Sequence, residues 1–172
     1  ANLDAETRND LLAAIREEAE RLNRFIRNLL EMTKLEVGAV VPKRQWIALE
    51  DIIGSSLEQL GRALDVSGVR TEIAAELPLA YVDFVQIEQV LVILLENAIA
   101  YSPAGAPVTL SAEADLATND FRISIADRGV GIARQDLSHI FDKFYRAQYR
   151  DRKIAGTGLG LYLSRELCEL ND

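Results

Sequence analysis

Residues 4–36 contain no glycine or proline, the two residues that disfavour a helix most strongly. Apolar or small residues recur in it at spacings of three and four: Leu12, Ile15, Ala19, Leu22, Ile26, Leu29 and Thr33. This heptad seam predicts one long helix with a partner helix lying nearly parallel to it. Further apolar residues widen the stripe, as in a helix of a four-helix bundle. The alternative is a helix that packs only on its own domain.

Beyond this helix, Gly38 and Pro42 mark a linker over residues 38–45, and the pattern changes to alternating strands and helices. We predict strands over residues 44–48, 69–74, 79–82, 107–114 and 120–126, the last two forming a hairpin with a polar turn around residues 118–119. We predict helices over residues 49–64, 84–101 with Asp83 as the cap, 134–146, and from about residue 158 onward. This order predicts a two-layer α/β sandwich with a mixed sheet over residues 46–172, preceded by the long helix.

Composition restricts the partners and the compartment. With 19 basic and 27 acidic residues the net charge is −8, which argues against nucleic acid, whose binders need a basic face. A nucleotide needs only a local positive site and stays possible. The single cysteine, Cys168, excludes an intrachain disulfide and fits a reducing cytoplasm. The longest apolar run, residues 90–95, is too short to cross a bilayer, so any membrane anchor of the parent protein is expected outside this chain.

Three short segments contain residues that core packing does not explain, and the first is Glu96-Asn97-Ala98-Ile99-Ala100-Tyr101. Asn97 falls among leucines and alanines, where an amide costs free energy unless it finds a partner. Its oxygen is the kind of ligand that Mg²⁺ prefers and shares with phosphates. A buried asparagine is more often a structural hydrogen-bonding residue, so this segment alone leaves both interpretations open.

The second segment, Asp127-Arg128-Gly129-Val130-Gly131-Ile132, directly follows the last predicted strand. A carboxylate at a strand end, followed by two glycines, allows the backbone to approach a flat ligand closely. Asp127 is therefore a candidate acceptor for an exocyclic amine such as that of adenine. A plain glycine turn explains this segment equally well when it is taken alone.

The third segment, Gly156-Thr157-Gly158-Leu159-Gly160-Leu161, opens the last predicted helix. Its glycines expose amides at a helix N-terminus, which is a natural anion site. It lacks the preceding strand of a dinucleotide fingerprint and the lysine of a Walker loop. A basic cluster precedes it: Lys143, Arg146, Arg150, Arg152 and Lys153. Positive charge beside such a loop suits a polyphosphate, whereas the cluster alone would be explained as a solvated loop.

The asparagine helix, the Asp-x-Gly-x-Gly-Ile turn, the Phe141-x-x-Phe144 pair and the third segment resemble the four sequence boxes of the histidine kinase catalytic domain, in the same order. This resemblance covers residues 46–172 and implies the Bergerat, or GHKL, ATP-binding fold. Residues 1–37 resemble the second helix of the family's dimerisation and phosphotransfer hairpin, at residues 22–24, 28–30 and 34–36. Within the family, the sequence of these motifs is most similar to that of potassium-responsive sensor kinases.

The resemblance implies a role for each matching residue. Asn97 would bind the Mg²⁺ that bridges ATP phosphates, Asp127 would bind the adenine 6-amino group, and Arg146 would contact phosphate. Tyr101 and Ile132 would line the adenine pocket, and the glycines would shape the turn and hold the lid and phosphate-side helix. The implied ATP site comprises Asn97, Tyr101, Asp127, Gly129, Gly131, Ile132, Phe144, Arg146, Gly156, Thr157, Gly158, Leu159 and Gly160.

The same resemblance implies a protein-histidine kinase that passes the ATP γ-phosphoryl group to a histidine, for relay to a response regulator. It also implies a homodimer through residues 4–36 and a cytoplasmic location. The only histidine, His139, does not lie in a phosphoacceptor setting. We therefore expect the acceptor helix, and the two strands that normally follow the last helix, to be absent from this chain.

Two departures from the family pattern keep alternatives open. Ile93 stands where the family often has a second polar residue, and Ala100 stands where it often has a phosphate-binding lysine. One alternative is a degenerate ATP-binding or dimerisation module without kinase activity. Another is an ATPase of the gyrase and Hsp90 type, which needs a glutamate one turn before the asparagine, where this chain has Ile93.

Overall fold

The computed structural model describes residues 4–61, 68–115, 118, 120–147 and 156–172. The chain divides into two compact units, Ala1–Val40 and Val41–Asp172. In the first unit, helix α1 spans Ala5–Glu36, as predicted. The Asp4 carboxylate accepts the Thr7 N–H at 2.7 Å and caps the helix start. Past the helix end, Gly38 adopts a φ of +64°, the left-handed conformation that glycine favours.

The predicted seam of α1 is exposed within this unit. Leu12, Ile15, Leu22 and Ile26 are each about half exposed or more. An apolar stripe of this kind does not serve the core of its own unit, and it is typical of a surface that meets another helix.

The second unit contains eight described elements. They are β1 (Gln45–Ile47), α2 (Leu49–Leu60), β2 (Val69–Ile73), β3 (Ala80–Val82), α3 (Phe84–Tyr101), β4 (Val108–Asp115), β5 (Asp120–Ala126) and α4 (Gly160–Asn171). Strands β1 and β3 form a small antiparallel pair. In the larger sheet, β4 lies between a parallel β2 and an antiparallel β5, so the predicted hairpin and the mixed sheet are confirmed.

Helix α3 lies at the centre of the helical layer, against α2, α4 and strands β4 and β5. The shared core includes fully buried residues from three elements: Ile52, Ile53, Leu95, Val108 and Leu110. Among the described residues, α3 is the one helix long and apolar enough, by length and composition, to cross a membrane. Its packing on several neighbours accounts for that composition without a bilayer.

The predicted helix over residues 134–146 is wrong. This segment is a series of turns whose N–H groups reach the carbonyl three residues back, at Asp136, His139, Asp142 and Tyr145. The series ends where Phe144 adopts a positive φ of +63° and its N–H donates to the carbonyl of Gly158, far away in sequence. A helix would need that N–H for its own ladder.

Smaller differences affect two helix ends. Helix α2 ends at Leu60, with Gly61 at its C-cap, although the prediction extended to residue 64; residues 62–67 lie outside the described part. Helix α4 begins at Gly160, two residues after the predicted start near residue 158, since Gly158 has a φ of +72°. The predicted turn residue Asn119 also lies outside the described residues.

A hydrogen-bonded cluster connects the start of the second unit to the N-terminal end of α3 and the C-terminal end of α4. The Asp83 carboxylate accepts the Lys43 N–H at 2.6 Å, and the Asp83 N–H donates to Asn171 Oδ1 at 2.8 Å. The Asn171 amide donates to Gln86 Oε1 at 2.7 Å. Arg44 donates to the carbonyls of Leu170 and Asp172. The segment that enters this unit is thus anchored to both helices.

Candidate functional site

One face of α3 carries Ile93, Asn97 and Tyr101, which follow each other at intervals of four residues and so lie in a row. Asn97 is half-buried, and its side chain makes no hydrogen bond with the described residues. The side-chain amide of a purely structural asparagine would form hydrogen bonds with other protein groups. The amide of Asn97 is therefore available to a ligand.

Asp127 follows β5 and shapes its own turn. Its Oδ1 accepts the Gly129 N–H at 2.6 Å, which leaves the exposed carboxylate with one oxygen outside that bond. The next amide, that of Arg128, donates to the hydroxyl of Ser102 at 3.3 Å. Side chains from two different parts of the chain thus hold two successive amides of this turn.

The turn lies directly against the end of α3. A Cβ at Gly129 would lie 2.7 Å from the Tyr101 carbonyl oxygen and 2.8 Å from Asp127 Oδ1. Both distances are shorter than real side-chain carbons tolerate, so only glycine allows this approach. The first glycine segment therefore adjoins the Tyr101 end of the α3 face.

The second glycine segment reaches the opposite end of the same face. A Cβ at Gly160 would lie 3.0 Å from the Ile93 side chain, which places the start of α4 against Ile93. Just before it, Gly158 adopts a φ of +72° and touches the backbone of Phe144. Within this segment the Leu159 N–H donates to Thr157 Oγ1 at 3.2 Å.

Asn97 consequently lies between the two glycine segments. Four helical residues span about 6 Å, so Asn97 is roughly that far along α3 from both Ile93 and Tyr101. This row joins Asn97, Tyr101, Asp127, Gly129 and Gly160, five of the residues predicted from sequence. Residues far apart in sequence therefore meet on one helix face.

Other predicted residues lie at the margin of this arrangement. Ile132, Phe144, Arg146 and Gly156 are exposed, and Gly131 has a φ of +70° in open space. The Leu159 side chain is fully buried, so only its backbone remains for a ligand. Of the basic cluster, Arg150, Arg152 and Lys153 lie outside the described residues.

The sequence prediction missed two features near these segments. One is Ser102, buried at 6% exposure, which follows the predicted helix and was not among the predicted site residues. Cations also lie on the Tyr162 ring: Lys143 Nζ is 4.9 Å and the Arg165 guanidinium 5.8 Å from its centroid. A hydrogen bond with Glu166 raises the pKa of Arg165. The pairs of Ser102 with Arg128 and of Lys143 with Tyr162 are too distant in sequence for local spacing to indicate them.

Comparison with known proteins gives a family. A model of the histidine kinase-, DNA gyrase B-, and HSP90-like ATPase family matches residues 82–172. The sensor protein KdpD of Escherichia coli strain K12 is 32% identical over 157 residues, which cover 91% of this chain and 17% of that protein. The sensor histidine kinase WalK of Bacillus subtilis is 32% identical over 163 residues, covering 92% of this chain and 26% of that protein. The chain thus spans about a quarter or less of either relative.

Solved structures agree on the fold. The histidine kinase AdeS of Acinetobacter baumannii has a TM-score of 0.75 at 24% identity, covering 99% of this chain and 76% of that one. Full-length ShkA in complex with AMPPNP has a TM-score of 0.74 at 24% identity, covering 99% of this chain and 35% of that one. The two-layer α/β fold is therefore that of histidine kinase catalytic domains. Because the family model matches more than half of the sequence, the chain belongs to the family of histidine kinase-, DNA gyrase B- and HSP90-like ATPases.

Proposed function

We propose that this chain binds MgATP and transfers the γ-phosphoryl group to a histidine on a phosphotransfer helix, for relay to an aspartate of a response regulator. The observation that carries the proposal is the position of Asn97, between two glycine segments on the face of α3. Its sequence relatives include the sensor protein KdpD and the sensor histidine kinase WalK, and the structural neighbour ShkA was solved with AMPPNP. The proposed location is the cytoplasm, where ATP is found.

The Tyr101 end of the face is the proposed base side of the site. There, the Gly129 N–H donates to Asp127 Oδ1, and the other carboxylate oxygen of Asp127 accepts a hydrogen bond from the adenine 6-amino group. Tyr101 and the exposed Ile132 flank the base, and Gly129 and Gly131 allow close backbone approach. An apolar side chain in place of Asp127 would offer no such hydrogen-bond acceptor.

The Ile93 end is the proposed phosphate side. Here the segment Gly156, Thr157, Gly158, Leu159 and Gly160 presents backbone amides at the start of α4, where the helix dipole favours negative charge. Ala100 is exposed where the family often has a lysine, so Arg146 and the neighbouring basic residues provide the positive charge. The Phe144 N–H donates to the Gly158 carbonyl and so holds the second glycine segment in place.

Asn97 fits a magnesium ligand. Its amide oxygen is hard, half-buried and not engaged by the described residues, and Mg²⁺ commonly takes one or two protein oxygens beside phosphates and water. Bound there, the ion would neutralise phosphate charge. The chain's own residues supply position and charge, which is what phosphoryl transfer chiefly requires.

His139 is not the proposed acceptor. Its Nδ1 pairs with Asp142 Oδ2 at 2.8 Å, and its ring lies 5.5 Å from that of Tyr145, in the segment of turns. The proposed acceptor belongs to the partner helix of α1, and the proposed homodimer forms through the same helix. A response regulator then receives the phosphoryl group from that histidine.

The gyrase-type ATPase is the weaker candidate. Such enzymes need a carboxylate base one turn before the asparagine, and here that position is Ile93, whose side chain packs against Gly160. Glu96 precedes Asn97 directly, is exposed, and points in another direction around the helix. Neither residue can activate a water at the face that carries Asn97.

Two measurements test the proposal. Calorimetry with ATP and Mg²⁺ should give saturable one-site binding, and the chain should then phosphorylate a separately supplied acceptor helix that contains a histidine. ATP binding without phosphorylation of any acceptor would support the degenerate module instead. Steady ATP hydrolysis without an acceptor would support the ATPase.

A further inference from the structure

Ser102 links the end of α3 to the turn that carries Asp127. It is the C-cap of α3, and its extended backbone, with a φ of −81° and a ψ of 155°, is what the following Pro103 requires. Its side chain is buried, and its hydroxyl accepts the Arg128 N–H at 3.3 Å. The link therefore joins two segments 26 residues apart in sequence.

The link connects the turn to a part of the chain outside the turn itself. Of its two successive amides, that of Gly129 donates to Asp127 itself, whereas that of Arg128 donates to Ser102. The second bond connects the turn to the C-terminal end of α3. The contact between the Tyr101 carbonyl and Gly129 sets how closely the turn approaches, but it is not a hydrogen bond and does not fix direction.

We infer that Ser102 is a positioning residue that holds Asp127 at the right place relative to α3 and thereby sets selectivity for the adenine amino group. This inference rests on the proposed function. Ser102 contacts no ligand in this role. It acts through Asp127, so its effect belongs to the base and not to the phosphates.

The experiment compares ATP with purine riboside triphosphate, which has a hydrogen in place of the 6-amino group. Ser102→Ala should weaken ATP binding by about 3- to 10-fold, the loss typical of one hydrogen bond, and change analogue binding less than twofold. Ser102→Thr, which keeps the hydroxyl, should restore ATP affinity. Ser56→Ala is the matched control, because it also removes a buried hydroxyl bond but lies in α2, away from the turn.

A second arm repeats the measurement in an Asp127→Ala background. There, Ser102→Ala should have no further effect on ATP, since the group it positions is gone. Equal losses for ATP and the analogue, or an undiminished loss without Asp127, would overturn the inference while leaving the proposed function intact. A wild-type chain that binds neither nucleotide would overturn both. If Ser102→Ala does not fold, Ser102→Cys, similar in size and a poor acceptor, replaces it.

Discussion

The backbones of Phe144 and Gly158 lie so close together that a Cβ on Gly158 would be 2.6 Å from the Phe144 carbonyl carbon. The Phe144 N–H donates to the Gly158 carbonyl at 2.9 Å, and both residues adopt a positive φ. This contact joins the end of the segment of turns to the start of the second glycine segment.

Gly158→Ala should therefore lower the free energy of unfolding by about 1–2 kcal/mol or more, from the positive φ alone, and weaken ATP binding. Gly68→Ala is the matched control, because Gly68 has a similar positive φ of +64° with open space around its Cβ position and lies outside the proposed site. Chemical denaturation and calorimetry measure the two effects. Equal behaviour of the two variants would contradict the importance of this contact.

Asp127→Asn should weaken ATP binding about tenfold or more, because a charge-assisted hydrogen bond contributes about 1.5–3 kcal/mol. The fold should persist, since Asp127 is exposed and asparagine can still accept the Gly129 N–H. Calorimetry gives the affinity, and thermal unfolding checks the fold. Unchanged ATP affinity would remove Asp127 from the base site.

Asn97→Ala should reduce affinity for MgATP much more than affinity for metal-free adenosine. The physical reason is that its amide is not engaged by the described residues and is proposed as a metal ligand. Both affinities are measured by calorimetry, with and without a chelator. An equal fall in both would mean that Asn97 is structural.

The chain should bind ATP without labelling itself. His139 is its only histidine and is paired with Asp142. Incubation with labelled ATP, followed by an acid-stability assay, measures any phosphohistidine, and His139→Ala serves as the control. An acid-labile phosphate that disappears in this variant would refute the proposed separate acceptor.

Self-association should occur through the exposed stripe of α1, most simply as a dimer. Replacing Leu22 and Ile26 with glutamate should dissociate it, because both side chains are about half exposed on that stripe. Light scattering measures the mass, and ATP calorimetry checks that the second unit is intact. Asn23→Glu, which adds charge on the same helix off the predicted seam, should leave the dimer unchanged. A stable wild-type monomer at high micromolar concentration would contradict this prediction.

Local patterns were sufficient to predict most of the fold. The cap at Asp83, the seam of α1 and the hairpin of β4 and β5 all depend on neighbours in the sequence or on one alternation period. The helix over residues 134–146 failed because Leu137, Ile140, Phe141 and Phe144 imitate helical spacing. The pairing of Phe144 with Gly158, which decides the outcome, is a long-range contact.

The candidate site shows the same division. Asn97, Asp127 and the glycines could be predicted as site residues because each residue type is unusual in its local sequence. Ser102 could not, since a serine before a proline is an ordinary helix end. Its significance comes from Arg128, which the fold brings to it from the turn after β5. Likewise, the need for glycine at position 129 comes from the Tyr101 carbonyl.

The bond from the Lys43 amide to the Asp83 carboxylate has a consequence for hydrogen exchange. This amide lies outside any helix or strand, yet it can exchange with solvent deuterium only when its 2.6 Å bond to Asp83 opens. Asp83 is in turn held by Asn171 at the far end of α4, and Arg44 is held by carbonyls there. The exchange rate of this single amide therefore reports how often the entry segment detaches from the N-terminal end of α3.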